Sequence, residues 1–253
     1  MRVDRRLPVR WLALVVGWAA LLGALTACDA PPSSSASGPA ANEYFPLVPG
    51  AHWRYKYALA VGGIEVEVVA RGDSAVEGLP GVAFIMDEHA LSADALGIAE
   101  VGATAYVARD GFLCRYTGLD YRSPDRLRML GEEDPARVMP LGALPGASWT
   151  HETRILQQPE NGGGGKIKWT GRTKPVAELI VPAGTFSNVL LVESEYWDPS
   201  IQTDAPLLSY QDYYARGVGL LRSVTKNERE GGTQMVEQTL LAFDFPQTDA
   251  QNQ

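Results

Sequence analysis

Apolar and polar residues alternate along much of this chain. Residues 53–57 read WRYKY, so three aromatic side chains alternate with two cations, and residues 64–68 read IEVEV. Because successive side chains of a strand point to opposite faces, this period of two places apolar groups on one face and charges on the other. The pattern predicts antiparallel strands with one buried face and one solvated face.

The rest of the chain predicts a meander of short strands. Residues 105–108 and 112–116 flank an Arg-Asp-Gly turn, which is typical of a hairpin. Seventeen prolines and 26 glycines punctuate many short elements rather than a few long helices. Only the segment 88–100 fits two kinds of element, a short helix or an irregular hairpin. We expect an all-β fold in which an antiparallel meander forms a barrel or a strongly curved sheet, with few or no helices. Further strands are predicted at 166–169, 176–181, 186–195, 208–214, 219–225 and 234–243.

Two short segments of the chain resemble each other. Residues 48–53 read VPGAHW and residues 144–149 read LPGASW, and a Pro-Leu pair lies upstream of each. In both, a Pro-Gly turn leads into a strand that starts on a Trp. The repeat indicates either two meander halves, 44–138 and 139–246, within one domain, or one turn motif that is used twice.

The N-terminal residues have the pattern of an export signal. Four arginines among the first ten residues precede an uncharged run of 15 residues, which is short for a membrane-spanning helix of about 20. Leu25, Thr26 and Ala27 then precede Cys28. This motif resembles the bacterial lipobox, where the signal is cut before a Cys whose thiol receives a diacylglycerol. The alternative is an ordinary signal followed by a coincidental Cys.

The export signal divides the chain into unequal parts. Residues 1–27 form the signal peptide, and residues 28–43 form the lipidated Cys and a flexible tether rich in Pro, Ser, Ala and Gly. Residues 44–246 form a single β domain, and residues 247–253 form a disordered tail. The first predicted partner is therefore a membrane, reached through the diacylglyceryl group and acyl chains on Cys28. The predicted location is the bacterial cell envelope, with the body in the periplasm or at the cell surface and the choice of inner or outer membrane left open.

Charge and composition narrow the classes of partner. The chain has 253 residues, with 22 Lys and Arg against 30 Asp and Glu and a formal charge of −8. Without the four arginines and one aspartate of the signal, the charge becomes −11. This argues against a nucleic-acid partner, because phosphate contacts need cations. Of the two cysteines, Cys28 is the predicted anchor, and Cys114 lies in a predicted strand, where a buried and inert thiol is expected.

Three blocks of sequence resemble those of uncharacterised bacterial envelope lipoproteins. Residues 44–55 contain YFPL, a Gly and WRY; residues 181–186 read VPAGTF; and residues 213–220 read YYARGVGL. The resemblance implies an antiparallel β domain displayed in the envelope, and it implies no established activity or catalytic residue. A looser architectural likeness is to the half-open β-barrels of lipoprotein carriers such as LolA and LolB, which hold acyl chains.

The sequence contains no motif that signals catalysis. The Gly-rich run 162–166 lacks the first Gly and the final Ser or Thr of a phosphate-binding loop, which favours a hairpin tip. Without cofactor motifs or metal-ligand spacings, we expect a non-enzymatic protein that holds neither cofactor nor metal. The alternative is a surface hydrolase with paired carboxylates, in which Glu193 and Glu195 share a strand face and Asp198 and Asp204 follow. A solvated strand face is the plainer interpretation of these acids.

Aromatic residues supply the candidate binding site. Tyr and Trp suit a boundary between apolar and wet surroundings, so a cluster of them can line a cavity or form a protein-binding patch. They also fill cores and favour strands, which is the structural alternative. We expect the protein to bind a partner protein or an apolar ligand such as a lipid, or else to be a purely structural envelope module. The predicted patch consists of Trp53, Tyr55, Tyr57, Tyr196, Trp197 and Tyr213.

Overall fold

The part of the chain that the structure describes is built from strands alone. The computed structural model describes residues 42–59, 62–91, 102–116, 119–120, 127–129, 136–142, 144–154, 166–197, 205–229 and 232–246. The predicted signal, Cys28, the tail and residues 92–100 lie outside these ranges, as do Asp198 and Asp204. No helix that is long and apolar enough to cross a membrane occurs within them.

Fourteen strands occur within the described ranges. Their bounds are β1 (His52–Leu59), β2 (Gly62–Ala75), β3 (Val82–Ala90), β4 (Gly102–Arg109), β5 (Phe112–Tyr116), β6 (Leu119–Asp120), β7 (Arg128–Met129), β8 (Ala136–Pro140), β9 (Ser148–Arg154), β10 (Lys166–Val181), β11 (Gly184–Trp197), β12 (Leu208–Ala215), β13 (Gly219–Arg229) and β14 (Gly232–Asp244).

Twelve of these strands form one antiparallel sheet, in the order β8-β5-β4-β3-β2-β1-β14-β13-β12-β11-β10-β9. Strands β1 to β5 and β8 form one meander, β9 to β14 form a second, and the two join where β1 pairs with β14. Residues 141–147 connect the edge strands β8 and β9, and seven residues reach at most about 25 Å. The sheet must therefore curve strongly, and the ring of Phe112 on β5 indeed lies 5.8 Å from that of Trp149 on β9. The predicted antiparallel, barrel-like or strongly curved all-β fold is confirmed.

The two meanders begin with equivalent turns. The Gly in each copy of the sequence repeat has a left-handed φ, +80° in the first copy and +90° in the second, which favours glycine. The Ala after it then accepts a backbone hydrogen bond from the second strand of its own meander. Ala70 donates to Ala51 at 2.9 Å, and Thr173 donates to Ala147 at 2.8 Å. The repeat therefore corresponds to two structurally equivalent strand starts.

The chain reverses at two ends of the curved sheet. We call one the closed end; it carries the turns at 110–111, 182–183 and 216–218 and the link 141–147. We call the other the mouth; it is where β1 meets β2 and β13 meets β14.

The main hydrophobic core fills the interior at the closed end. Tyr44 and Phe45 enter it from the N-terminal segment and are only 3% and 8% exposed. Side chains from both meanders pack around them, so this half of the interior is occupied by protein atoms. The core residues with no exposed surface include Leu113, Met139, Leu190, Leu221 and Leu240.

A second, smaller core covers the outer face of β3 and β4. Ile85 and Ala105 point to that face and are fully buried. Leu119 of β6 and Leu127, which precedes β7, pack on them from outside. These strands are therefore buried on both faces, and their sequence lacks the alternation of a half-solvated strand.

Candidate functional site

Ionisable side chains project into the interior on the mouth side of the main core. Residues paired across an antiparallel ladder share a face, and Arg115 pairs with the core residue Tyr106, whereas Asp212 pairs with the core residue Val192. On each strand the charged residue lies two positions nearer to the mouth than a core residue. The pairs are Glu88 with Met86, Arg115 with Leu113, and Asp212 with Tyr214.

Each of the two carboxylates of this group accepts a hydrogen bond from a neighbouring hydroxyl group. Thr104 Oγ1 donates to Glu88 Oε1 at 3.2 Å, and Ser223 Oγ donates to Asp212 Oδ1 at 2.5 Å. Burial raises the pKa of both carboxyl groups, and the hydrogen bonds and the nearby Arg115 oppose that rise only in part. Both acids therefore lie where surrounding protein makes an unpaired charge costly.

Arg115 is the cation of the group. Burial alone would lower the pKa of its guanidinium, but Tyr106, Tyr210, Asp212 and other nearby groups raise it overall. A side-chain hydrogen bond joins Arg115 to Tyr106, whose own pKa burial raises to about 12. The Nε atom of Arg115 is fully buried and has no hydrogen-bond acceptor among the described residues.

The charged groups attract one another without touching. Arg115 interacts electrostatically with Glu88 and with Asp212, and neither interaction is a hydrogen bond. All three side chains are half-buried although protein surrounds them, so water reaches them inside the sheet. Tyr57 and Tyr210 are half-buried in the same way, and burial raises the pKa of each. We call these five residues the interior polar site.

The predicted aromatic patch divides between the interior and the outer face. Trp53 and Tyr55 belong to the main core, where the Trp53 indole donates to the Val218 carbonyl at 2.7 Å and the Tyr55 hydroxyl donates to the Leu220 carbonyl at 3.0 Å. These two residues therefore tie the two meanders together. Tyr57, the third aromatic residue of β1, belongs to the interior polar site, where burial and then the nearby Glu88 raise its pKa, and Glu88 acts on Tyr55 in the same sense.

The other three members of the patch do not meet at one place. Tyr196 is buried against the ring of Trp169, with centroids 5.0 Å apart. Trp197 and Tyr213 belong to the outward-facing positions of their strands, where Trp197 donates to Glu195 at 3.3 Å and the Arg222 guanidinium lies 6.0 Å from the Tyr213 ring, although Tyr213 also packs against the main core. The structure thus brings Trp53, Tyr55, Tyr57 and Tyr196 to the inside of the sheet and leaves the other two outside.

The paired carboxylates of the hydrolase alternative lie on the outer face. Glu193 and Glu195 line a groove of about 410 Å³ over β9 to β11. Burial opposes ionisation of Glu193, but Arg172 at 2.6 Å and Lys174 at 2.7 Å lower its pKa overall. Glu193 is therefore a doubly paired carboxylate, which suits a structural ion pair better than a general acid.

Other chemistry-bearing residues are dispersed. No group of three or more His, Cys, Asp or Glu side chains that could hold a metal ion is found within the described ranges. The Nδ1 atom of His52 lies 3.4 Å from Oε1 of Glu67 on an exposed surface. Cys114 is a buried free thiol, and burial raises its pKa to about 11, so it stays protonated at neutral pH.

Two solved structures of bacterial proteins are similar to this chain over about four fifths of its length. No protein-family model matches the chain, and no curated protein matches it. One similar solved structure is a candidate lipoprotein from Parabacteroides distasonis, with 12% identity over 81% of this chain and 99% of that chain and a TM-score of 0.41. Another is a candidate exported protein with YmcC-like fold from Bacteroides fragilis, with 14% identity over 80% and 99% of the two chains and a TM-score of 0.37.

Proposed function

We propose that this protein is a lipid-anchored envelope protein that binds a small polar ligand in the interior polar site, without catalysis. The anchor rests on the lipobox pattern at Cys28. The binding function rests on one observation: Glu88, Arg115 and Asp212 converge inside the sheet from two meanders, partly accessible to water and without contact between the charges. A ligand in the site would supply the contacts that these charges do not make with one another.

The charges of the site favour a cationic group on the ligand. Two carboxylates face one guanidinium, so the site carries one excess negative charge when all three are ionised. Phenol rings beside Glu88 and Asp212 add cation–π attraction for an ammonium group. The unpartnered Nε–H of Arg115 offers a donor to an acceptor oxygen. The ligand class that fits best is a small amine with a neighbouring hydroxyl or carbonyl oxygen.

The packing of the main core argues against a lipid ligand inside the sheet. The closed half of the interior is filled by apolar side chains such as Leu190 and Leu240, which have no exposed surface. An acyl chain would have to displace them, at about 1.5 to 3 kcal/mol for each side chain removed from the core. On the mouth side, the charges of the interior polar site lie beside a small aromatic cluster of Trp169, Tyr196 and Tyr210, and it is these charges that lead us to propose a polar ligand rather than a lipid.

The buried charges also distinguish binding from a purely structural role. Replacing buried charged groups by apolar ones of similar size is often neutral or stabilising. The stability of a purely structural module does not require Glu88, Arg115 and Asp212 inside the sheet, which supports a binding role. A binding site does gain, because its groups must be ready before the ligand arrives.

Calorimetric titration with two matched sugars tests this proposal. Glucosamine carries an ammonium group among hydroxyls, whereas N-acetylglucosamine has the same ring without the charge. With the protein extracted from bacterial membranes in detergent, we expect saturable heat with glucosamine and none with N-acetylglucosamine. Equal binding of the two sugars, or binding of neither, would overturn the proposal for this ligand class.

A further inference from the structure

We infer that the closed end of the β domain rests on the bilayer that holds the acyl chains of Cys28, so that the mouth opens away from that membrane. This inference depends on the lipid anchor of the proposed function, and it concerns a different surface from the interior polar site.

The chain enters the folded body at the closed end. The Asn42 side chain donates to the carbonyls of Pro140 and Leu141, both at 3.2 Å, where β8 ends. The Glu43 carbonyl accepts a backbone hydrogen bond from Gly217 at 2.7 Å, in the turn between β12 and β13. A chain of the length and composition of residues 29–41 has a mean end-to-end distance of about 20 Å. The anchor at Cys28 therefore keeps the closed end, rather than the mouth, near the membrane.

Three of the five large apolar side chains that are exposed among the described residues lie at this same end, and the other two, Leu91 and Met235, lie near the mouth. Ile180 is 72% exposed near the tip of the β10–β11 hairpin, Leu144 is 65% exposed in the link 141–147, and Phe243 is 38% exposed at the end of β14. The Phe243 ring has two aromatic neighbours, with its centroid 6.2 Å from that of Phe186 and 6.0 Å from that of Phe245. Insertion into the acyl boundary of a bilayer would remove these groups from water.

The β10–β11 hairpin is shaped to present one apolar side chain outward. Strand β12 pairs with β11 only as far as Leu190, so the hairpin continues beyond the sheet as an arm. The arm reaches β14, where the Ala183 amide donates to the Leu240 carbonyl at 3.3 Å. Val181 faces the core and is buried, so the adjacent Ile180 points away from the body.

The charge of the protein indicates how the contact would be made. A mature charge of −11 disfavours attraction to anionic headgroups. Contact with the bilayer therefore relies on apolar insertion next to the acyl anchor, and a zwitterionic membrane is the appropriate partner.

Site-directed labelling of the lipidated protein in phosphatidylcholine vesicles tests the orientation. Ile180→Cys carries a spin label at the closed end, and Met235→Cys, 55% exposed on β14 near the mouth, is the matched control. Cys114 is buried and stays unlabelled. We expect the spin label at position 180 to be several-fold less accessible to a water-soluble paramagnetic nickel complex than the spin label at position 235. We expect a label at Leu144→Cys to behave like the label at Ile180→Cys.

The outcomes separate the orientation from the anchor. Vesicle flotation shows separately whether the protein is anchored. In an anchored protein, equal accessibility of the labels at positions 180 and 235 to the nickel complex, or lower accessibility at 235, would overturn the inference. If the protein does not float with the vesicles, the anchor itself fails, and the inference falls with it.

Discussion

Arg115 on β5 and Asp212 on β12 face each other across the interior of the sheet, each contributed by a different meander. Their attraction raises the pKa of Arg115 and opposes the effect of burial on Asp212. Each is oriented locally, Arg115 by its hydrogen bond to Tyr106 and Asp212 by Ser223 at 2.5 Å. The interior polar site therefore exists only once the two meanders have closed on each other.

Replacing Glu88 by Gln tests the cost of the buried charge. Because burial raises the pKa of Glu88 in the folded state, the native protein binds more protons than the unfolded chain between the two pKa values. The free energy of unfolding therefore falls as pH rises through that window. Glu88→Gln removes the contribution of Glu88 to this dependence, and we expect the variant to be more stable than the wild type at neutral pH, because a charge no longer has to be held in a buried position. Urea unfolding from mildly acidic to neutral pH measures both effects.

The matched control for this variant is Glu178→Gln, because Glu178 is exposed on the β10–β11 hairpin. We expect it to change neither the stability nor its pH dependence. A Glu88→Gln protein that is less stable than wild type at neutral pH would show that the Glu88 charge is satisfied, contrary to the description of the site.

Substituting Gly171 tests the packing at the edge of the second meander. A β-carbon at Gly171 would overlap the indole ring of Trp149 on β9. We expect Gly171→Ala to destabilise the protein by about 1 to 3 kcal/mol, because the ring must move in a packed environment. Gly142→Ala is the control, since a β-carbon there meets nothing within 4 Å. Equal melting temperatures for the two variants would contradict this account.

Asn42 shows that the folded body begins before Tyr44. Besides its bonds to the end of β8, its Oδ1 accepts from the Tyr44 amide at 2.9 Å, and the residue is 4% exposed. We expect Asn42→Ala to lower the free energy of unfolding by about 1 to 3 kcal/mol, because it leaves buried polar groups unpaired. Chemical denaturation measures this. Glu43→Ala removes only an exposed ion pair with Arg216 and should cost less than 1 kcal/mol; a larger loss than for Asn42→Ala would refute the assignment.

Cell fractionation tests the predicted lipid anchor. Replacing Cys28 by Ala removes the only thiol in the lipobox-like motif, so we expect the protein to move from the membrane fraction to the soluble fraction or to remain as uncleaved precursor. Metabolic labelling with a radioactive fatty acid should mark the wild-type protein and not the variant. A Cys114→Ala variant is the control and should remain labelled and membrane-bound. Unchanged labelling of Cys28→Ala would contradict the lipobox assignment.

The sequence pattern predicted strands well where one face meets water. The alternating segments 53–57 and 64–68 lie within β1 and β2. Strand β3 was missed because residues 82–86 contain no alternation, and the structure gives the reason: Leu119 and Leu127 cover its outer face. That coverage depends on residues that are distant in sequence, so a local pattern does not reveal it.

One long strand was predicted as two. Residues 166–169 and 176–181 belong to the single strand β10, which continues through Pro175. The Thr173 amide donates towards β9, so the missing N–H of Pro175, two residues later, points to the same side. There β9 has already ended, with Ser148 opposite Arg172, so no hydrogen bond is lost.

The site was not predicted from the sequence, although a signal for it exists. Arg115 and Asp212 occupy the positions of their strands that otherwise hold inward apolar residues such as Leu113 and Tyr214. A charge in the apolar phase of a strand indicates a buried polar group. The convergence of such groups from three separate strands depends on strand register and on closure of the sheet. Neither can be inferred from the pattern of aromatic residues alone.

The most direct measurement for the central claim is the affinity of glucosamine as a function of pH, for the wild-type protein and for Asp212→Asn. The ligand needs ionised carboxylates, and burial raises their pKa values, so we expect affinity to increase as pH rises from mildly acidic to neutral. Asp212→Asn should weaken binding at neutral pH about tenfold, the effect of losing about 1.4 kcal/mol. Affinity that is independent of pH and equal in the two proteins would contradict a ligand site formed by these charges.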